Sequence, residues 1–194
     1  MRTLTAFAAL IFIFTLGSFV SGQTEKPAPP TAVSSLDAAK FAGTWYEIAA
    51  FSNKFQRKCI ANITMKYTVK SGGYDVVNNC LEKDGTTKTA KGSVKFADKT
   101  ASGKMKIRFA SGFFSFLPGV WEDHLVLDLG ENYDYAVIGE PKREYLWIIS
   151  RKPEMSDAQY QQILRRTEKQ GYNPAKLLKT PQNMDAIRGA TIEN

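Results

Sequence analysis

The sequence predicts an all-β domain, a barrel or a sandwich of eight short antiparallel strands followed by one α-helix. Three observations predict it. Apolar and polar residues alternate through the middle of the chain, most strictly in Lys104–Ala110, where Lys104, Lys106 and Arg108 oppose Met105, Ile107 and Phe109. The strand-like runs are joined mostly by links of hairpin length rich in Gly, Asn, Asp and Ser. After Ser150 the period changes from two to that of a helix.

The strands follow in order. Gly43–Phe51 is the first. Ile60–Val69 and Tyr74–Leu81 are joined by Lys70-Ser71-Gly72-Gly73, a Gly-Gly hairpin signal. Thr87–Ala97 and Lys104–Ala110 flank a turn at 98–102, and Trp121–Leu129 carries Leu125, Leu127 and Leu129 in alternation. A turn at Gly130-Glu131-Asn132 leads to Tyr133–Gly139, and Glu140-Pro141-Lys142-Arg143 leads to Glu144–Ser150. Ser156 and Gln159 then fit a capping box, with Ala158, Ile163, Leu164 and Thr167 near helical spacing and Gly171 as the stop. Lys176–Lys179 offers a last short strand.

The folded part is set within longer ends. Residues 1–22 read as a cleaved signal peptide: Arg2, an apolar run from Leu4 to Leu16, then Val20-Ser21-Gly22. That run is shorter than the ~20 apolar residues a membrane span needs. No Cys lies near the cleavage point to accept a lipid. Residues 23–33 form a Pro-rich leader, 34–181 the domain, and 182–194 a flexible tail. The expected location is therefore secreted or periplasmic, with an outer-membrane association open.

Composition excludes much chemistry. One histidine and two cysteines are too few for a His/Cys zinc centre or an iron–sulfur cluster, so no metal and no cofactor are expected. Export into an oxidising compartment makes a Cys59–Cys80 disulfide the expected state, because a hairpin returns its outer ends to one another. The alternative is two buried thiols. A net charge of +7 favours anionic partners, but the cations are scattered and the chain is read as exported, so nucleic acid is not among them. His124 falls opposite Leu125 in the alternation and is expected to face out. Asn62-Ile63-Thr64 is a glycosylation sequon inside a strand.

Three stretches, in order, resemble the conserved regions of the lipocalins, in particular the bacterial outer-membrane lipocalins and apolipoprotein D. They are Gly43-Thr44-Trp45-Tyr46-Glu47, Tyr133-Asp134-Tyr135, and Tyr145-Leu146-Trp147-Ile148-Ile149-Ser150-Arg151 with the helix behind it. The resemblance runs from Leu36 to about Pro181. It implies an eight-stranded up-and-down barrel with a ligand-holding calyx and the helix packed on its wall. It also implies a structural floor in which Arg151 packs on Trp45, with Gly43 beside them.

Strand alternation then assigns the calyx lining to Glu47, Ala49, Met105, Ile107, Phe109, Leu125, Leu127, Tyr135, Tyr145 and Trp147. An apolar, aromatic lining suits an acyl chain or another hydrophobic molecule. The rim is assigned Phe55, Arg57, Lys58, Phe113, Phe114, Phe116, Trp121 and Arg143, an apolar lip bordered by cations that would meet a phosphate or carboxylate. Three roles stay open for the lip: transient contact with an anionic membrane, contact in a homodimer, or a plug in the barrel. No catalytic residue is assigned. The expected function is carriage of fatty acid, lysophospholipid or phospholipid for membrane maintenance. The alternative is an enzyme of the same fold acting on a lipophilic substrate.

Overall fold

The computed structural model describes residues 28–53, 58–98, 103–109 and 119–182. The order of elements is α1 (Ala38–Phe41), β1 (Gly43–Phe51), β2 (Cys59–Lys70), β3 (Gly73–Glu82), β4 (Thr87–Phe96), β5 (Lys104–Arg108), β6 (Glu122–Leu129), β7 (Tyr135–Gly139), β8 (Leu146–Ser150), α2 (Asp157–Lys169) and β9 (Leu177–Lys179). Strands β2 to β8 pair antiparallel in sequence order, and β1 pairs with both β8 and β2. The sheet thus closes into an eight-stranded barrel, with β9 added beside β1. Closure removes the free sheet edges that a sandwich would have to protect.

Two apolar clusters lie on opposite sides of the wall. Trp45, Met65, Tyr67, Tyr74, Val76, Val94, Met105, Val126, Ile138 and Ile149 fill the lumen. Ala49, Phe51, Leu127, Val137, Leu146 and Ile148 face out and are covered by Tyr160 and Ile163 of α2 and by Tyr172. Strands β1, β6, β7 and β8 are therefore apolar on both faces. The helix starts as its cap predicts: the Ser156 hydroxyl accepts from Gln159 N at 3.3 Å. The Gln159 side chain, however, donates to Asp134 at 2.9 Å and does not return to the cap. Gly171, at φ 81°, takes the left-handed conformation that ends the helix.

Two irregularities shape the wall at β1. The pairing of β1 with β8 skips at Ile48, so the alternation reverses between Glu47 and Ala49. Beyond Tyr46↔Thr64, β1 leaves β2. Residues 180–182 bridge that seam: Thr180 N donates to Ile48 O, Asn62 N donates to Pro181 O, and Gln182 Nε2 donates to the carbonyls of both Glu47 and Ile63.

Candidate functional site

The floor is built around Arg151. Its guanidinium lies 3.7 Å from the centre of the Trp45 ring, and its nitrogens donate to five backbone carbonyls: Tyr133 (3.2 Å), Thr44 (2.9 Å), Lys40 (2.6 Å), Phe41 (3.1 Å) and Ala42 (2.8 Å). Three of those carbonyls belong to or end α1, so one cation satisfies most of the carbonyls at that helix end. Asp37 caps the other end, accepting from Ala39 N and Lys40 N, while its own N–H donates to the Tyr133 hydroxyl. Trp45 is fully buried and its indole N–H donates to Phe41 O at 2.9 Å. Gly43 sits at φ 101°, and a Cβ there would stand 3.2 Å from Arg151 Nη1. Both conformation and space therefore select glycine at the start of this strand.

Above the floor a polar bridge crosses the lumen. Tyr67 on β2 and His124 on β6 meet through hydroxyl and Nε2 at 3.1 Å, both buried. His124 thus faces inward, against the sequence expectation. Its cross-strand partner is Met105, and residues directly paired share a face. Burial holds the imidazole neutral, with its pKa lowered to about 4, and pushes the Tyr67 phenol upward.

Toward the mouth the lining loosens. Met105 is fully buried, Ile107 is half-buried, and Phe109 at the strand end is 38% exposed. Phe109 lies over Gly92, where a Cβ would come within 2.8 Å of its ring. On the opposite wall Tyr145 and Trp147 stack with ring centres 5.8 Å apart and planes 6° from parallel. The mouth end of the β2–β3 hairpin is tied by the Cys59–Cys80 disulfide, with Cα atoms 5.5 Å apart.

Several assigned residues stand elsewhere. Ala49 faces outward because of the bulge at Ile48. Leu125 and Leu127 pack outside, and their alternation partners His124 and Val126 point in. Tyr135 also faces out: its hydroxyl accepts from Arg166 of α2 at 2.7 Å, beside the Arg166–Asp128 ion pair at 2.6 Å. Glu47 is buried, but its carboxylate accepts from the Thr180 hydroxyl at 2.6 Å at the seam. Arg143 is no open cation at the rim. Its Nε donates to Gln170 O at 2.8 Å, its Nη2 to Ala28 O, and it lies over the Tyr172 ring. Lys58 is exposed, and Trp121 lies on the outer wall between Lys95 and Arg108. Phe55, Arg57, Phe113, Phe114 and Phe116, like residues 1–27 and 183–194, lie outside the described residues. Sequence reasoning missed Tyr67, Asn78, His124 and Val126 of the lumen. For His124, the pairing with Met105 was the available signal.

A barrel sealed at one end by a buried Trp with an Arg packed across it, and lined toward the other by apolar and aromatic side chains, is a small-molecule-binding barrel. Residues 36–182 match the Lipocalin-like domain family, and the chain belongs to the lipocalins, a family of barrels that typically bind small hydrophobic ligands. It is 36% identical over 153 residues to temperature-induced lipocalin-1 of Arabidopsis thaliana, covering 78% of this chain and 82% of that protein. It is 30% identical over 166 residues to outer membrane lipoprotein Blc of Escherichia coli K12, covering 83% and 89%. Among solved structures, insecticyanin from the tobacco hornworm Manduca sexta superposes with a TM-score of 0.66 at 18% identity, over 83% of this chain and 88% of that one. This last likeness concerns the fold.

Proposed function

We propose that this chain is an exported carrier of lipophilic cargo, taking fatty acid, lysophospholipid or phospholipid for membrane maintenance. The observation that carries the reading is the gradient along the lumen. Trp45 and Phe41 at the floor are fully buried, whereas Ile107 and Trp147 are half-buried and Phe109 is exposed toward the mouth. A chain-shaped ligand entering there exchanges water for apolar contact without opening the floor. The disulfide and the signal-like start of the sequence support export. So does the relation to proteins named as outer membrane lipoproteins.

The enzymatic reading has one observation in its favour, the inward His124–Tyr67 pair. The two groups spend their hydrogen bond on each other. Among the described residues no set of three or more His, Cys, Asp or Glu is placed to hold a metal. Carriage is the reading retained. Native mass spectrometry of the purified protein is expected to show a co-purified lipid, and a fluorescent fatty acid is expected to bind and be displaced by unlabelled acyl lipids. An apo protein that binds no such probe overturns the reading.

A further inference from the structure

Among the described residues, two buried side-chain polar atoms have no hydrogen-bond partner: the Tyr74 hydroxyl and the Asn78 amide oxygen. Both belong to β3, and they differ in access. Tyr74 is fully buried at the floor among the rings of Phe41, Tyr67 and Phe96, so a ligand does not reach its hydroxyl. Asn78 is half-buried and stands four residues nearer the mouth. The ladder turns it inward. It pairs with Met65 of β2 and alternates with Val76 and Cys80, all three in the lumen cluster. Its partner on the other side is Ala90 of β4, whose methyl group offers no hydrogen bond.

The other polar groups of this face define what could meet Asn78. Toward the floor, Tyr67 and His124 are bonded to each other at 3.1 Å, and burial keeps both neutral. At the mouth, Lys88 stands opposite Cys80 and forms an ion pair with Glu82 at 3.2 Å, while Glu122 opens β6 on the same face as His124. Charge on these strands is therefore held at the rim, and the group that meets Asn78 is neutral. Glu82 ends β3, so Asn78 lies about 10 Å below the rim along a tilted strand. A neutral hydrogen-bonding group carried to that depth by an apolar chain is a hydroxyl near the middle of the chain. An amide presents both an acceptor and donors, and a hydroxyl answers either. A plain methylene chain would cover the amide oxygen without pairing it, which costs affinity.

We propose that Asn78 determines specificity within the lumen and selects acyl ligands that carry a mid-chain hydroxyl. The inference rests on the carrier reading and names the cargo within it.

The test loads the full chain with a fluorescent fatty acid and measures displacement by stearic acid and by three hydroxystearic acids. These carry the hydroxyl beside the carboxyl group, at mid-chain or near the methyl end. The wild type is expected to bind the mid-chain isomer about tenfold more tightly than stearic acid, the scale of one hydrogen bond. The other two isomers are expected to bind no better than stearic acid. Asn78→Leu is expected to keep its affinity for stearic acid and to lose the preference. Asn78→Val, with its higher strand propensity, carries the same test if Asn78→Leu does not fold. A wild type that binds the mid-chain isomer no better than stearic acid overturns the proposal and leaves the carrier reading standing. So does a preference for either of the other isomers, or a mid-chain preference that survives in the Asn78 variants. A wild type that binds neither the fluorescent acid nor any of the stearic acids overturns the carrier reading, and the proposal with it.

Discussion

The two ends of the barrel use the same strands for different purposes. At the floor, Arg151 donates to five carbonyls, Trp45 is fully enclosed, and Phe41 packs tilted against both Trp45 and Tyr74. At the mouth, Ile107 and Trp147 are half-buried and Phe109 is open to solvent. Satisfied polar groups and full burial give stability. Accessible apolar surface costs stability and gives the capacity to bind. The molecule separates the two along one axis.

Substitution at the floor is the strongest test of this contrast. Trp45→Ala is expected to cost about 3–5 kcal/mol in urea unfolding. A loss no larger than that of Trp147→Ala at the mouth would erase the distinction. The disulfide sharpens it from the other side. Replacing both Cys59 and Cys80 by Ser releases a closed loop of sequence separation 21 and is expected to cost about 3 kcal/mol, read in the same titration.

His124 tests the polar bridge between the ends. Its folded pKa of about 4 lies below the ordinary value of 6.5, so the folded state binds fewer protons than the unfolded chain between those limits. Its contribution is fully present above pH 6.5 and is lost as pH falls toward 4, a loss on the order of 2–3 kcal/mol. Removing both partners together, in His124→Phe/Tyr67→Phe, is expected to flatten that part of the acid limb relative to wild type. Superimposable limbs would mean the imidazole is not the group responsible. The smallest effect on stability is expected at the mouth itself. Trp147→Ala should cost about 1 kcal/mol in unfolding but weaken fluorescent fatty acid binding about tenfold, because the lost contact is with ligand.

The floor was legible in the sequence because it depends on residues with few substitutes. A glycine at positive φ, an indole and a guanidinium cannot be exchanged for other apolar or basic residues. The lining was legible only where one face of a strand is wet. On β5, Lys104, Lys106 and Arg108 lie on the outer face and the alternation turns Met105 and Ile107 inward, where they pack in the lumen cluster. On β6 and β7 the outer face lies under α2, so Leu127 and Tyr135 are apolar or aromatic for the sake of the helix. Hydropathy then favours the wrong face, and a neutral buried His124 reads as a surface residue. On β1 a single bulge at Ile48 reversed the assignment of Ala49, and no residue in that stretch announces it.

The seam between β1 and β2 carries a consequence for the order of events in folding. β1 forms near the beginning of the domain, yet its remaining partners are β8, β9 and residues 180–182. The wall can be completed only after more than a hundred further residues have been synthesised, so closure is a late, long-range step. Until then the nascent chain exposes both edges of an unclosed sheet, the condition in which passage through a translocon or protection by a chaperone has most to offer.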